Sequence, residues 1–352
     1  MVRQRRYFFI KVGILLSALW LTAGCSTLDD DRSDCGNTFE LNYQLRLVTN
    51  MTTELETHLT TITEVDVANA LSMHLKDIFT DFAHDVDLSF YDTKDDSVLL
   101  QKDRHIMDAN QASYTLHLPM REYMHLAAAN LVENQLVGIS GDDICHRSRL
   151  QQVIGDTIDS HTTGLFTGRY AMNVLGNVSQ KFDVHLYMVN SAAALIVDTR
   201  NHTGFDDIRV FSTGFATGFN ICDSVFQYSD HPPMVRTEEL RVDGISERAY
   251  CSVTFPSPEP QEASTRNVIE TEEPFIAEPG EETLWEFVIY VPQPDGTITV
   301  TRLKVKRPLR AGQLMLIRCW VGEHGAVVTQ NPEVSTSVTL DWKPGLEIEG
   351  EE

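Results

Sequence analysis

The chain has 352 residues, with 28 Lys and Arg against 51 Asp and Glu, and a formal net charge of −23. Its composition, 42% hydrophobic and 22% charged, is that of a folded globular protein and excludes a disordered tail or a multi-pass membrane protein; the length suggests two domains. The acidity argues against nucleic acid, whose phosphates are held by Lys and Arg that displace counterions, and against an anionic membrane surface as an electrostatic partner.

Arg3, Arg5, Arg6 and Lys11 form a positive head, an apolar run follows from Val12 to Leu21, and Thr22, Ala23 and Gly24 lead into Cys25. This layout predicts a secretory signal over residues 1–24, because the uncharged run is too short for a hydrocarbon core of about 30 Å. A Cys directly behind small residues resembles a bacterial lipobox. The match is to the looser form, with Leu21 four places and Thr22 three places before the Cys. The resemblance implies cleavage after Gly24 and acylation of the Cys25 sulfur and amine. Two or three acyl chains hold a protein on a bilayer at ~0.8 kcal/mol per buried CH₂, whereas one chain is marginal. Residues 25–37 then form an acylated tether. Its Ser-Thr-Leu-Asp-Asp-Asp looks like the surface-export signal of Bacteroidales lipoproteins, without the usual Lys or Gln after the Cys.

From there alternation dominates. Phe39, Leu41, Tyr43, Leu45 and Leu47 fall on one face of a strand, with Glu40, Asn42, Gln44 and Arg46 opposite. Between Ile62 and Phe82, Val65, Ala68, Leu71, Leu75, Ile78 and Phe82 recur at steps of three or four, which predicts an amphipathic helix of about five turns. Period two returns at Val86–Phe90, Tyr114–Leu118, Phe182–Met188, Trp285–Val291 and Val338–Trp342, the mark of antiparallel sheet with one wet face. Gly141–Thr163 is polar and lacks that period, and the domain junction is placed there. Phe255–Glu282 holds five Pro and eight Glu against one Arg and reads as an exposed excursion. Pro294-Asp295-Gly296 predicts a hairpin turn. Leu314–Val321, apolar on both faces apart from Arg318, reads as a central strand. The expected organisation is mainly β: an N-terminal β-sandwich over 38–160 with one helix near 62–82, a C-terminal β-sandwich over 164–345 with a Pro/Glu-rich loop at 256–282, and an acidic tail at 346–352.

Residues that could carry chemistry are sparse. No G-x-S-x-G or H-E-x-x-H occurs, and none of the twelve His stand at i, i+4, so no nucleophile elbow or helical zinc face is suggested. The acidic stretches 29–34 and 92–96 lack calcium-loop spacing. No catalytic, cofactor-binding or metal-ligating residue is expected, and the chain is read as non-enzymatic. Trp285, Trp320 and Trp342 lie in apolar strand patterns and are expected in the core, with glycan stacking as the alternative. Once Cys25 is acylated, Cys35, Cys145, Cys222, Cys251 and Cys319 remain, an odd number. Cys251 and Cys319 sit in apolar runs and read as core; Cys35 and Cys145 are the candidate pair.

The lipobox Cys, the stretch LDDDRSDC and the strand FELNYQLRL open an ordered set. The helical insert, VDLSFYD, SYTLHLPMREYMHLAAANL, FDVHLYMVN, STGFATGFNICDSVF and VSTSVTLDWKPG follow. This order resembles the FimB/Mfa-type fimbrillin-associated anchor lipoproteins of Bacteroidales. The resemblance implies two transthyretin-like β-sandwiches at the base of a type V pilus, acyl-anchored in the outer membrane through Cys25 and facing the cell surface. Such a protein holds the fimbrillin shaft subunit, supports assembly and limits length. The segment Val334–Trp342, or the edge it pairs with, is the expected pilin contact, since an open sheet edge templates strand addition. Asp96-Ser-Val, Asp156-Thr-Ile and Asp223-Ser-Val also look like O-glycosylation sequons of this lineage. A surface glycan-binding lipoprotein and a minor or tip pilus subunit are the alternatives.

Overall fold

A computed structural model describes residues 38–341, apart from 50, 81, 95–97, 107–112, 133, 154, 177, 201–206 and 261–282. The expected signal, Cys25, Cys35, Trp342 and the acidic tail lie outside the described residues, as does most of the Pro/Glu-rich excursion.

The chain opens with β1 (Thr38–Val48), helices α1 (Met51–Leu59) and α2 (Val65–Ile78), and strands β2 (Asp85–Asp92), β3 (Leu99–Ile106), β4 (Ser113–Pro119) and β5 (Glu122–Ala129). Short strands follow: β6 (Val137–Ser140), β7 (Arg149–Gln152) and β8 (Thr157–Ile158). Then come β9 (Phe166–Asn173), β10 (Gln180–Met188), β11 (Ser191–Asp198), β12 (Arg209–Thr213), β13 (Gly218–Asn220) and β14 (Val225–Gln227). The remainder is β15 (Met234–Arg236), β16 (Glu238–Leu240), β17 (Glu247–Thr254), β18 (Trp285–Pro292), β19 (Ile298–Val305), β20 (Leu314–Val321), β21 (Val327–Val328) and β22 (Val334–Asp341). They form four sheets. The first is seven-stranded, β3-β2-β5-β9-β10-β1-β4; the second is β16-β17-β11-β20-β21; the third is β22-β19-β18-β12-β15-β8; the fourth is β14-β13-β7-β6.

These sheets stack in layers, and the core clusters give their order. One face of the first sheet (Leu41, Tyr43, Val86, Leu88, Phe90) packs on α2 (Val67, Leu71, Leu75, Ile78) and on Ala192, Ala194 and Ile196 of the second sheet. The alternate residues of β11, namely Ala193, Leu195 and Val197, face Phe287, Ile289, Leu303 and Val305 of the third sheet. On its other side the first sheet presents Tyr91, Leu126 and Ala128 to Leu150 and Phe219 of the fourth. The fold is therefore mainly β, with stacked sheets and helices against one of them. Strands β2, β5 and β11 have no wet face; β2 alternates in sequence as expected, but both of its faces are covered. On β2 even Asp85, Asp87 and Ser89 are buried. Asp87 is held by a two-pronged bond from Arg104 at 2.6 and 2.7 Å, and Asp85 accepts the Leu131 and Val132 N–H groups at 3.1 and 3.0 Å. Burial raises the Asp85 carboxyl above its usual range despite those two bonds,.

Two expectations are corrected. The expected helix is α2, which lies within 62–82, but it is not alone: α1 lies wholly before that span. The Thr60 and Thr61 hydroxyls donate to the Thr57 and His58 carbonyls at 2.8 and 2.6 Å and close α1; such local bonds compete with helix continuation. The Ile78 carbonyl accepts the Gly164 N–H at 2.8 Å, where α2 ends. Ala68, Leu71, Leu75 and Ile78 of the expected stripe are buried, whereas its ends Val65 and Phe82 are exposed and Val67 is buried. Second, the junction at 160–164 does not separate the sheets: β9 and β10 join the first sheet, β10 lying parallel to β1 with Tyr43 opposite Phe182. The polar stretch before them is structural, because β7 enters the fourth sheet and β8 pairs with β15 in the third. Passage to the second sheet comes at buried Asn190, which accepts Leu165 N–H and donates to the Thr163 carbonyl. The candidate partner Cys35 lies outside the described residues; among those described, the Sγ nearest Cys145 is that of Cys222.

Other features are as the sequence indicated. The turn at Gly296 has φ +83°, a conformation that favours glycine,, and joins β18 to β19 in an eight-pair antiparallel register. Gly214, at φ +100°, lies so close to β18 that a Cβ would come within 2.7 Å of the Trp285 Cα. Phe215 can then pack beside the buried Trp285 ring at 5.5 Å.

Candidate functional site

Sheet edges are the places where this architecture can accept another chain, because they carry unpaired backbone groups. Most of its edges are blunted. Strand β3 carries Lys102, Asp103, Arg104 and His105, β4 ends in Pro119, and β16 begins with Glu238 and Glu239. Edges β6, β8, β14 and β21 are four residues or shorter.

Strand β22 differs. It pairs antiparallel with β19 through eight residues, from Val305–Val334 to Ile298–Asp341, and forms the outer edge of the third sheet. Every second residue of an antiparallel edge strand turns its N–H and C=O away from its neighbour. From Val334 to Leu340 the strand has Ser, Thr, Val and Leu only, with no charge and no Pro to deter strand addition. Ser335, Thr336, Ser337 and Val338 are exposed. The structure thus places the expected contact segment on a long, uncharged edge. Neighbouring β19 is packed inward: Thr299 and Thr301 are fully buried, and their hydroxyls bond the His324 carbonyl and the Val327 N–H at 2.7 and 3.0 Å.

A second feature is a concavity of about 690 Å³ beside β20, lined by Asp198, Glu247, Arg318 and Trp320 among others. Trp320 is half-buried there, whereas Trp285 is fully in the core. Arg318 donates to the Thr61 carbonyl at 3.1 Å, to Thr63 Oγ1 at 2.6 Å and to Glu247 Oε1 at 3.3 Å. It thereby ties the turn between the helices to the second sheet. Glu247 is 1% exposed and its Oε2 has no partner.

The buried histidines serve packing. His125 stacks on Phe90 at 4.5 Å, its Nδ1 lies 3.1 Å from the Ser89 carbonyl and its Nε2 2.8 Å from the Tyr43 hydroxyl. A carbonyl only accepts, so Nδ1 carries the proton and Nε2 accepts from Tyr43. Burial lowers the His125 pKa to about 4 and that of His161 to about 3. Both are neutral struts in apolar surroundings. One group among the described residues has donor atoms close enough to share a cation, His146, Cys222 and Asp223, all within 4.8 Å. Of the sequon-like tripeptides, Thr157 and Ser224 are exposed, and Asp96-Ser-Val lies largely outside the described residues. Sequence reasoning missed the contact between Cys145 and Cys222; no local signal marks it, because pairing of β7 with β13 creates it.

No family model matches the chain, and no curated protein matches it. Among solved structures it is similar to the fimbrial anchor protein Mfa2 from Porphyromonas gingivalis, with a TM-score of 0.49, 12% identity, and 86% of this chain and 98% of that chain covered. It is also similar to the tip fimbrial protein Mfa3 from Porphyromonas gingivalis, with a TM-score of 0.39, 11% identity, and 87% and 100% covered. A third is a candidate polysaccharide-binding protein from Bacteroides thetaiotaomicron, with a TM-score of 0.49, 12% identity, and 84% and 97% covered.

Proposed function

We propose that the chain is a non-enzymatic outer-membrane lipoprotein that anchors a fimbrillin pilus at the cell surface and supports its assembly and length control. Two attachments are needed at a pilus base. One must hold the membrane and the other must hold the polymer. Acylated Cys25 supplies the first. The thirteen residues 25–37 reach at most about 45 Å when extended, which keeps Thr38 and the first sheet near the bilayer. The observation that carries the second is the uncharged outer edge of β22, which offers main-chain hydrogen bonds to a fimbrillin shaft subunit in the manner of strand addition.

A Cys25→Ala variant tests the reading. Fibres released to the medium are the expected result; fibres still cell-bound, or no change in fibres, would refute it.

A specific observation favours a second reading as a surface glycan-binding lipoprotein: the concavity holding Trp320 with Asp198, Glu247 and Arg318 combines an aromatic face with polar groups, as saccharide sites do. Saccharide raising the thermal midpoint of the wild type but not of Trp320→Ala would support that alternative.

A further inference from the structure

Cys145 and Cys222 are separated by 77 positions in the chain, yet their Sγ atoms lie 2.7 Å apart. They are 1% and 3% exposed, and both are thiols in this structure. Cys145 opens a short turn, Cys145–Arg147, between β6 and β7, and Cys222 lies just beyond β13. The two turns are pinned to each other through the backbone. Arg149 stands opposite Asn220 where β7 pairs with β13. Asn220 Nδ2 donates to the His146 carbonyl at 2.8 Å, the Ile221 N–H donates to the Ser148 carbonyl at 3.0 Å, and Arg169 donates to the Cys222 carbonyl.

The separation discriminates between the roles two such sulfurs can take. It is shorter than the ~3.5–4.0 Å at which unbonded carbon atoms rest, and sulfur is larger. Two thiolates on one tetrahedral zinc, each at ~2.3 Å, would stand about 3.8 Å apart. A covalent S–S bond is about 2.05 Å. Burial pushes the Cys145 thiol well up, which suits a structural group and not an exposed catalytic nucleophile.

We propose that Cys145 and Cys222 form a disulfide that staples the fourth sheet across its two hairpins. The two thiols give up two protons and two electrons to a disulfide oxidant, either glutathione disulfide or the active-site disulfide of a thiol oxidase. One Sγ attacks the oxidant's S–S bond to give a mixed disulfide, the other Sγ displaces the second oxidant sulfur, and the oxidant leaves as two thiols. His146 Nδ1 lies 3.6 Å from Cys222 Sγ and 3.3 Å from Asp223 Oδ1; the carboxylate only accepts, so Nδ1 carries its own proton there, and the thiol protons pass to the two thiolates released from the oxidant. The exchange takes place as the fourth sheet closes, before the sulfurs are covered. Cys251 and Cys319 stay reduced, because they face opposite sides of the second sheet, one in each core cluster. The staple holds the layer that covers the outer face of the first sheet, and it is independent of what the protein anchors.

Peptide mapping tests this on the full chain isolated from cells with its thiols blocked by iodoacetamide under denaturing conditions. Trypsin without reduction should release residues 122–147 linked to 210–236, with neither Cys145 nor Cys222 alkylated. Reductant should lower the thermal midpoint of the wild type and leave a Cys145→Ser, Cys222→Ser double variant unmoved. Alkylation at both positions before reduction would overturn the proposal. So would a Cys35–Cys145 link, or stoichiometric zinc whose removal by a chelator exposes both thiols.

Discussion

Lowering the pH from 7 to 5 should destabilise the protein through its two buried histidines. His125 and His161 are held neutral, with pKa values lowered by burial from 6.5 to about 4 and about 3. The unfolded chain gains a proton at each imidazole as pH falls through 6.5, and the folded chain does not, so stability rises with pH across this window and is lost on acidification. At pH 5 an unfolded-state histidine is almost fully protonated while the folded one is about a tenth protonated or less. Each site then removes about 2 kcal/mol between pH 7 and 5, or roughly 4 kcal/mol together. Carboxylates with lowered pKa values, such as Asp198 and Glu259, lose their contribution only below their usual range near 4. The raised pKa of Asp85 acts in the opposite sense and offsets part of the loss at the acid end. Urea unfolding at half-unit pH steps measures the slope. His125→Gln keeps an acceptor for Tyr43 and a donor for Ser89 but does not titrate, so it should retain about half the slope. A flat profile from pH 7 to 5, or an undiminished slope in His125→Gln, would refute the reasoning.

Two further outcomes follow from the contacts described. Arg318→Met leaves the Glu247 carboxylate buried without its cation. Breaking a buried pair costs ~3–5 kcal/mol, and because the Arg318 side chain is 43% exposed solvent screening reduces this to about 2 kcal/mol. Adding Glu247→Gln should recover most of the loss in urea unfolding, and no recovery would contradict the pairing. Val338→Lys puts a charge on the β22 edge at a 43% exposed position. Stability should change by less than ~0.5 kcal/mol, while pilin capture by the purified protein falls; unaltered capture would remove β22 from the contact.

Strands with one wet face were legible from the sequence. The hydrophobic steps of β1 and β10 and the Pro-Asp-Gly turn before β19 all read directly from residue type and period. Strands β2 and β11 were legible only in part, since their second faces are covered by other sheets and even Asp85 and Asp87 are buried with partners far along the chain. The stripe of α2 through Ala68, Leu71, Leu75 and Ile78 was legible from its period, whereas α1, with the mostly polar sequence MTTELETHL, carries little such stripe and was missed. The junction at 160–164 failed for a topological reason: parallel pairing of β10 with β1 carries no local mark. The proximity of Cys145 to Cys222 has the same origin. The edge character of Val334–Asp341 was legible as an alternating Ser/Thr/Val segment, but its freedom from blunting charges acquires meaning only beside the other edges. Trp320 could not be told from Trp285 by pattern, because the gap between the helices and β20 decides its exposure.

The most direct measurement of the anchoring role is immunogold electron microscopy of cell-bound and sheared fibres, with antibody against this chain. A pilus base places gold at the cell-proximal end of each fibre, and on the cell envelope after shearing. Gold at the distal tip, or spread along the shaft, would contradict it.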